Sequence, residues 1–451
     1  MIIKKTDVLW NYAATFLKIA SSALLLPFIL RMMPSETVAI WVVFMTIMTF
    51  ASLLDFGFNP SFTRNITYIF SGVKNLKSKG FENVNKDNVT IDYGLLKGVI
   101  SAMQWFYSRM SIVLFLFLAT FGTYYIHTLL KNFKGDQREI YFAWILLCVI
   151  STYNLYTLYY DALLQGKGLI KRSKQIVIIG QIFYFAFATI LIMSGYGLIA
   201  IISSQALSVF IIRWLSYRSF FSKEIKQKLN SSIPRVKKEV LKAISPNAIK
   251  FGLTFLGGFM VQRSAIIIGS LYLSLKDIAS YGITMQLISV IAGLAGIYTA
   301  TYQPRIVHLR TSQNIPEIKQ LYLKGQIILL LTYFAGGLCL FILGGWGLNF
   351  IGSQTKLITG FLLFLALFTS LLETNLSVAA TILVSKNDVP FFKASIISGV
   401  AIVLGMLLFF KFTNGGLLIM IGIPLLIDIA YQAWKWPLDV MRDLKISSKF
   451  R

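Results

Sequence analysis

The sequence predicts an all-α integral membrane protein of about twelve transmembrane helices in two six-helix bundles, with both termini cytoplasmic. Three observations carry this. Of the 451 residues, 56% are hydrophobic and only 14% charged, where a soluble domain carries about 25% charged. The apolar residues gather into runs near or above the roughly 20 residues that cross a bilayer core. A long basic segment, 218–247, interrupts those runs at mid-chain. A collagen, a disordered tail, a disulfide-rich secreted module and an ordinary cytosolic enzyme are all excluded by this composition.

The apolar runs between charged or turn-rich breaks place spans near 8–30, 37–58, 103–128, 139–160, 176–193, 197–217, 248–272, 279–302, 325–350, 357–384, 393–411 and 415–436. The first follows Lys4 and Lys5, is longer than a signal-peptide core and shows no small-residue cleavage site, so it reads as a retained helix. With the N-terminus inside, the inner segments hold 31 Lys and Arg and the outer loops 7, the asymmetry of the positive-inside rule. The net charge of +25 is therefore read as topology and contact with anionic lipid, not as nucleic-acid binding. The organisation follows: an N-terminal six-helix bundle over 1–217, a basic cytoplasmic linker over 218–247, a C-terminal bundle over 248–436 and a basic tail over 437–451. Weak internal similarity supports two parallel halves: Asn11 against Asn247, and Asn59-Pro60 with Arg64 against Gln303-Pro304-Arg305 with Arg310.

Several chemistries find no support. Cys148 and Cys339 both lie in apolar runs, where cysteine behaves as a small hydrophobe. His127 and His308 stand alone, so no metal site is expected. Gly166-Lys167-Gly168 lacks the spacing of a nucleotide-phosphate loop. The N-x-[ST] triplets at Asn65, Asn88, Asn230 and Asn375 fall inside or within a span, so none reads as a glycosylation site.

Charges within spans are more informative, because each costs about 2.5–3.5 kcal/mol at mid-bilayer and persists when it faces water, a partner or a function. Lys18 lies ten residues into the first span and Arg263 about fifteen into the seventh, roughly 15 and 22 Å along their helices. The two spans hold equivalent places in the two halves, so Lys18 and Arg263 are candidates for a cationic path across a central cleft; the competing reading is that both snorkel to headgroups. Arg109 and Arg213 lie near predicted cytoplasmic ends and read as snorkelling. Glu373, in the polar patch Glu373-Thr374-Asn375, either binds a coupling proton or pairs with a cation from another span; Asp428 is a second candidate. Asp55 stands at a helix end and reads as structural.

The run Asp55-Phe56-Gly57-Phe58-Asn59-Pro60-Ser61-Phe62-Thr63-Arg64 resembles the D-x-G-(x)6-R signature of bacterial polysaccharide repeat-unit flippases, the O-antigen type. Those belong to the multidrug/oligosaccharidyl-lipid/polysaccharide exporter superfamily. Leu164-Gln165-Gly166 is similar to the family's L-Q-G segment, and Ile267-Ile268-Gly269 with Ala279-Ser280-Tyr281 to its seventh-to-eighth span passage. The resemblance implies a V-shaped, alternating-access transporter in the bacterial inner membrane that moves an undecaprenyl-pyrophosphate-linked oligosaccharide. Lys18, Arg263 and Arg64 would attract the pyrophosphate, and Asp55, Gly57, Gln165 and Gly166 would form the structural motif. No cofactor is implied beyond a proton or sodium gradient, and the partners would be membrane lipids and other polysaccharide assembly proteins. One departure stands out: many relatives carry an Asp where this chain has Ser264, so that residue's role does not carry over.

Three alternatives compete. A multidrug exporter of the same superfamily shares the layout but would favour an acidic pocket, against Lys18 and Arg263. A polysaccharide polymerase or ligase would need sizeable outer loops, and these are short. A structural scaffold predicts no polar residues at mid-span.

Overall fold

A computed structural model describes residues 5–74, 90–131, 133–235, 237–311, 313–386 and 390–446. The elements are α1 (Lys5–Met32), α2 (Ser35–Leu53), α3 (Phe58–Phe70) and α4 (Tyr93–Phe117), which passes through a π-helical turn into α5 (Thr123–Leu130). Next come α6 (Gln137–Tyr156), α7 (Tyr159–Gly166), α8 (Ile170–Met193), α9 (Gly197–Phe220), α10 (Lys223–Asn230) and α11 (Lys237–Tyr272). The remainder are α12 (Leu275–Thr311), α13 (Ile315–Phe350), α14 (Gly360–Val384), α15 (Phe392–Phe412) and α16 (Leu417–Ile427), the last continuing through a second π-helical turn into α17 (Ala433–Asp443). Among the described residues eleven helical stretches are long and apolar enough to cross a membrane. The first predicted span coincides with α1, several of whose side chains lie outside the described residues.

Capping residues fix where the helices begin. The Asp92 carboxylate accepts the Leu95 amide at the head of α4 (2.8 Å), and Asp136 accepts the Arg138 amide at the head of α6 (2.8 Å). Asn314 caps α13, whose second residue is Pro316, a position where the missing N–H costs nothing. Between α8 and α9 the chain turns tightly, with Gly195 at φ +86° and Gly197 at +42°, a region an L side chain enters only with strain.

The chain forms two compact units: Met1–Met33 with Ile47–Phe255, and Pro34–Thr46 with Leu256–Arg451. In the first, α8 packs against α1 and α9, α6 against α4 and α9, and α3 against α7. In the second, α12 packs against α13 and α14, and α14 against α16 and α17. Small residues let helices close in: a Cβ added at Gly257 on α11 would come 2.8 Å from the Ser395 carbonyl carbon on α15. Large apolar side chains meanwhile stay on the outside, as on α13, where Leu331, Phe334, Leu338 and Ile342 are all more than half exposed. That is the expected surface when the solvent is lipid.

The inner segment 59–102 opens with α3, and α4 begins at Tyr93, ten residues before the predicted span. The linker 218–247 is largely helical too, because Ile225 and Leu229, one turn apart, are buried beneath the lysines of α10. The following strap, 231–235, lies across the head of α4. The Arg235 amide donates to the Gly94 carbonyl (3.2 Å), Lys97 Nζ to the Ser232 carbonyl (2.9 Å) and the Arg235 guanidinium to Asp92 (2.9 Å).

Candidate functional site

The second unit contains a cavity of about 400 Å³ walled by α11, α12 and α14. Each wall follows from helical spacing. On α14, Ser370, Glu373, Thr374, Ser377 and Thr381 recur every three or four residues on one face; on α12, Tyr281, Met285, Ser289, Ala292, Gly296 and Thr299 do the same. Gln262 and Arg263 enter from α11. Gly293 and Gly296 face open space, with no atom within 4 Å of an added Cβ, so the missing side chains help make the cavity. The lining mixes one cation, one carboxylate and several hydroxyls.

Arg263 is exposed, as are its cavity neighbours Gln262, Ser289 and Ser377. Glu373 is half-buried, with Asp428 and Arg263 as its charged neighbours, and no ion pair within 4 Å joins it to Arg263 among the described residues. Asp428 is 1% exposed and neither carboxylate oxygen has a hydrogen-bond partner. It starts the π-helical turn that joins α16 to α17, an irregularity frequent at functional positions. Tyr281 is buried beside both Glu373 and Arg263.

The first unit gathers the motif residues. Asp55, 9% exposed, accepts the Asn59 amide at the head of α3 (3.0 Å) and the Tyr107 hydroxyl from α4 (2.6 Å). Phe56 and Gly57 turn the chain with φ of +45° and +69°. The D-x-G run is thus a cap and a left-handed turn. The L-Q-G run meets it, because a Cβ on Gly166 of α7 would lie 2.6 Å from Ile66 Cβ and 2.9 Å from the Thr63 carbonyl oxygen of α3. Gln165 stands beside that crossing at the end of α7 and Arg64 on α3 is exposed. Next to it, Lys167 reaches over the Phe220 ring (5.8 Å); burial draws its ammonium below the usual value, with Glu224 pulling the other way.

Beneath these motifs lies a buried polar pair that sequence reading missed. Arg213 donates to Asp161 (2.7 Å) and Asn154 (2.7 Å) and is 5% exposed. It is therefore not snorkelling: its partners come from α7 and α6. Arg109, by contrast, is exposed and stacks over Trp105 at 5.5 Å; it lies roughly 24 Å along α4, because the helix starts earlier than predicted. The available signal was Asp161 itself, an acid closing the aromatic run Tyr156-Thr157-Leu158-Tyr159-Tyr160.

Arg263, Glu373 and Asp428 therefore belong to one neighbourhood in the second unit, and Asp55, Gly57, Arg64, Gln165 and Gly166 to another in the first. Lys18 is on α1 of the first unit, and its side chain lies outside the described residues. Among the described residues no group of three His, Cys, Asp or Glu could hold a metal ion.

No protein-family model matches the chain, and no curated protein matches it. Solved structures do share its architecture. An inward-facing multidrug resistance MATE family transporter of the MOP superfamily aligns over 96% of both chains at 15% identity, with a TM-score of 0.62. The lipid II flippase MurJ, in an inward closed conformation, aligns over 97% of this chain and 92% of its own at 14% identity, TM-score 0.60. The fold is that of these membrane transporters. A third, a MOP superfamily transporter from Pyrococcus furiosus described by a binding pocket of reverse polarity, covers 98% of this chain and 94% of its own at 15% identity, TM-score 0.54. At such identities the likeness concerns the fold alone, which spans nearly the whole chain and is shared by exporters and by a lipid flippase.

Proposed function

We propose that the chain is an alternating-access flippase of the bacterial inner membrane, not an enzyme. It carries an undecaprenyl-pyrophosphate-linked oligosaccharide repeat unit to the outer leaflet for O-antigen, capsule or another surface polysaccharide. The observation that carries the reading is Arg263: a guanidinium with no ion pair among the described residues, open to a cavity lined by hydroxyls, small and apolar residues and the Glu373 carboxylate. A pyrophosphate crossing a low-dielectric slab needs such a group, and arginine presents a planar fork of donors matched to phosphate. The hydroxyls of Ser289, Ser370 and Thr374 suit sugar. Lys18 and Arg64 are the further cationic candidates, and the D-x-G and L-Q-G runs support the family assignment. Glu373 and Asp428 carry the coupling ion, a proton or sodium; no cofactor takes part. The shared fold with a lipid II flippase supports a lipid-linked substrate.

One observation favours a second reading. Glu373 shares the cavity, and a carboxylate beside apolar walls suits a cationic drug, as in a multidrug exporter. Reconstituting the full chain in liposomes separates the two. A tagged undecaprenyl-pyrophosphate oligosaccharide should flip, and Arg263→Ala and Lys18→Ala should each slow it while inserting normally. A charge-assisted contact of about 1.5–3 kcal/mol predicts roughly a ten- to hundredfold loss. Full flipping by the double Ala variant would remove the cationic path, and efflux of cationic dyes without lipid flipping would replace the flippase by the exporter.

A further inference from the structure

We infer that a cleft between the start of α8 and the end of α9 is a binding site for the phosphate headgroup of an anionic phospholipid. The cleft, about 610 Å³, is lined by Leu169, Arg172, Trp214, Leu215, Arg218 and Ser219, all in the first unit. Arg172 is the third residue of α8 and Arg218 the third from the end of α9, so both guanidinium groups stand at the same end of two packed membrane helices. That end is the one the basic excess assigns to the cytoplasm.

Neither arginine has a carboxylate partner among the described residues. Arg172 Nε donates to the Ser219 hydroxyl (3.2 Å), and the Arg218 guanidinium stacks over the Trp214 ring at 4.0 Å. Each contact holds its group by one edge or face and leaves the remaining N–H donors for an anion. Two such forks in one cleft fit the several oxygens of a phosphodiester.

The apolar side of the cleft selects a lipid over a soluble phosphate. Trp214 is 44% exposed, and Phe210, one turn further into the membrane on the same face of α9, is 55% exposed. An acyl chain descending from a headgroup on Arg172 and Arg218 would lie along Trp214 and Phe210. Basic pockets between helices on the cytoplasmic side are where anionic headgroups settle. This site depends only on the membrane orientation, not on what the transporter carries.

The test uses the purified full chain in detergent, stripped of lipid, then offered cardiolipin or phosphatidylcholine and weighed intact by native mass spectrometry. The expected result is preferential binding of cardiolipin, weakened about tenfold or more by Arg172→Gln with Arg218→Gln. The doubly conservative Arg172→Lys, Arg218→Lys variant should keep a substantial part of it, which guards against a folding defect. Lys324→Gln with Lys393→Gln, the same loss of charge elsewhere, should leave it unchanged. Equal binding of both lipids, equal loss in the Lys variants, or displacement of the lipid by millimolar inorganic phosphate would each overturn the assignment.

Discussion

Removing the Asp161 carboxylate should destabilise the first unit by about 3 kcal/mol. Arg213 keeps only 6% of its side chain exposed and has two partners, Asp161 and Asn154, each at 2.7 Å, while its Nε has none. Breaking one side of a buried ion pair costs about 3–5 kcal/mol, because the other charge is left uncompensated. Asp161 is 26% exposed, so water can enter the vacated space, and the lower end of that range applies. Asp161→Asn keeps an acceptor and should cost about half as much. Arg213→Met leaves only the more exposed carboxylate, at about 1–2 kcal/mol. The double variant Asp161→Ala, Arg213→Met removes both charges and should recover most of the loss, since apolar replacement of a buried pair is near neutral. Unfolding by SDS titration in mixed micelles, followed by circular dichroism, measures all four. If Asp161→Ala cost less than about 1 kcal/mol, or the two single effects simply added, Arg213 would not be a buried ion in need of its partner.

Glu373→Gln should lower transport driven by an imposed pH gradient while leaving protein insertion intact; a pH dependence identical to the parent chain would dismiss Glu373 as the coupling group. At the strap, an added Cβ at Gly94 would lie 2.7 Å from the Ile233 carbonyl oxygen and one at Gly98 about 3.0 Å from that of Arg235. Gly94→Val should therefore lift residues 231–235 off α4 at a cost of about 1–3 kcal/mol. A nitroxide attached at Ile233→Cys reads this directly as faster label motion, and an unchanged spectrum would mean the strap is not held by that contact.

The helical fold was legible because the bilayer imposes it: a span must be long, apolar and hydrogen-bonded within itself, and those demands write themselves into local sequence. The D-x-G turn was legible for a similar reason, since Asp55 and Gly57 act on their immediate neighbours. The helix within the basic linker was not legible because lysines dominate its composition, while α10 is anchored by only two apolar residues, Ile225 and Leu229. Pairings across the fold left no local mark. Asp161 and Arg213 are 52 positions apart, Asp55 and Tyr107 also 52, and neither member of either pair announces the other.

The same limit explains why charge count alone could not sort structural from functional groups. Arg213 and Arg263 look alike in sequence, each a lone cation in an apolar helix. Their surroundings separate them. Arg213 is sealed and matched by an acid and an amide, so its charge is already neutralised and has nothing left to offer a passing anion. Arg263 opens onto a cavity, and its nearest acid, Glu373, stays beyond ion-pair distance. A cation left without an ion-pair partner on a membrane-spanning helix is costly unless it faces water, a partner or a ligand. On the proposed function the cargo supplies the missing negative charge, and that reasoning, more than the loose sequence motifs, underlies the proposal of an anionic cargo over a cationic one.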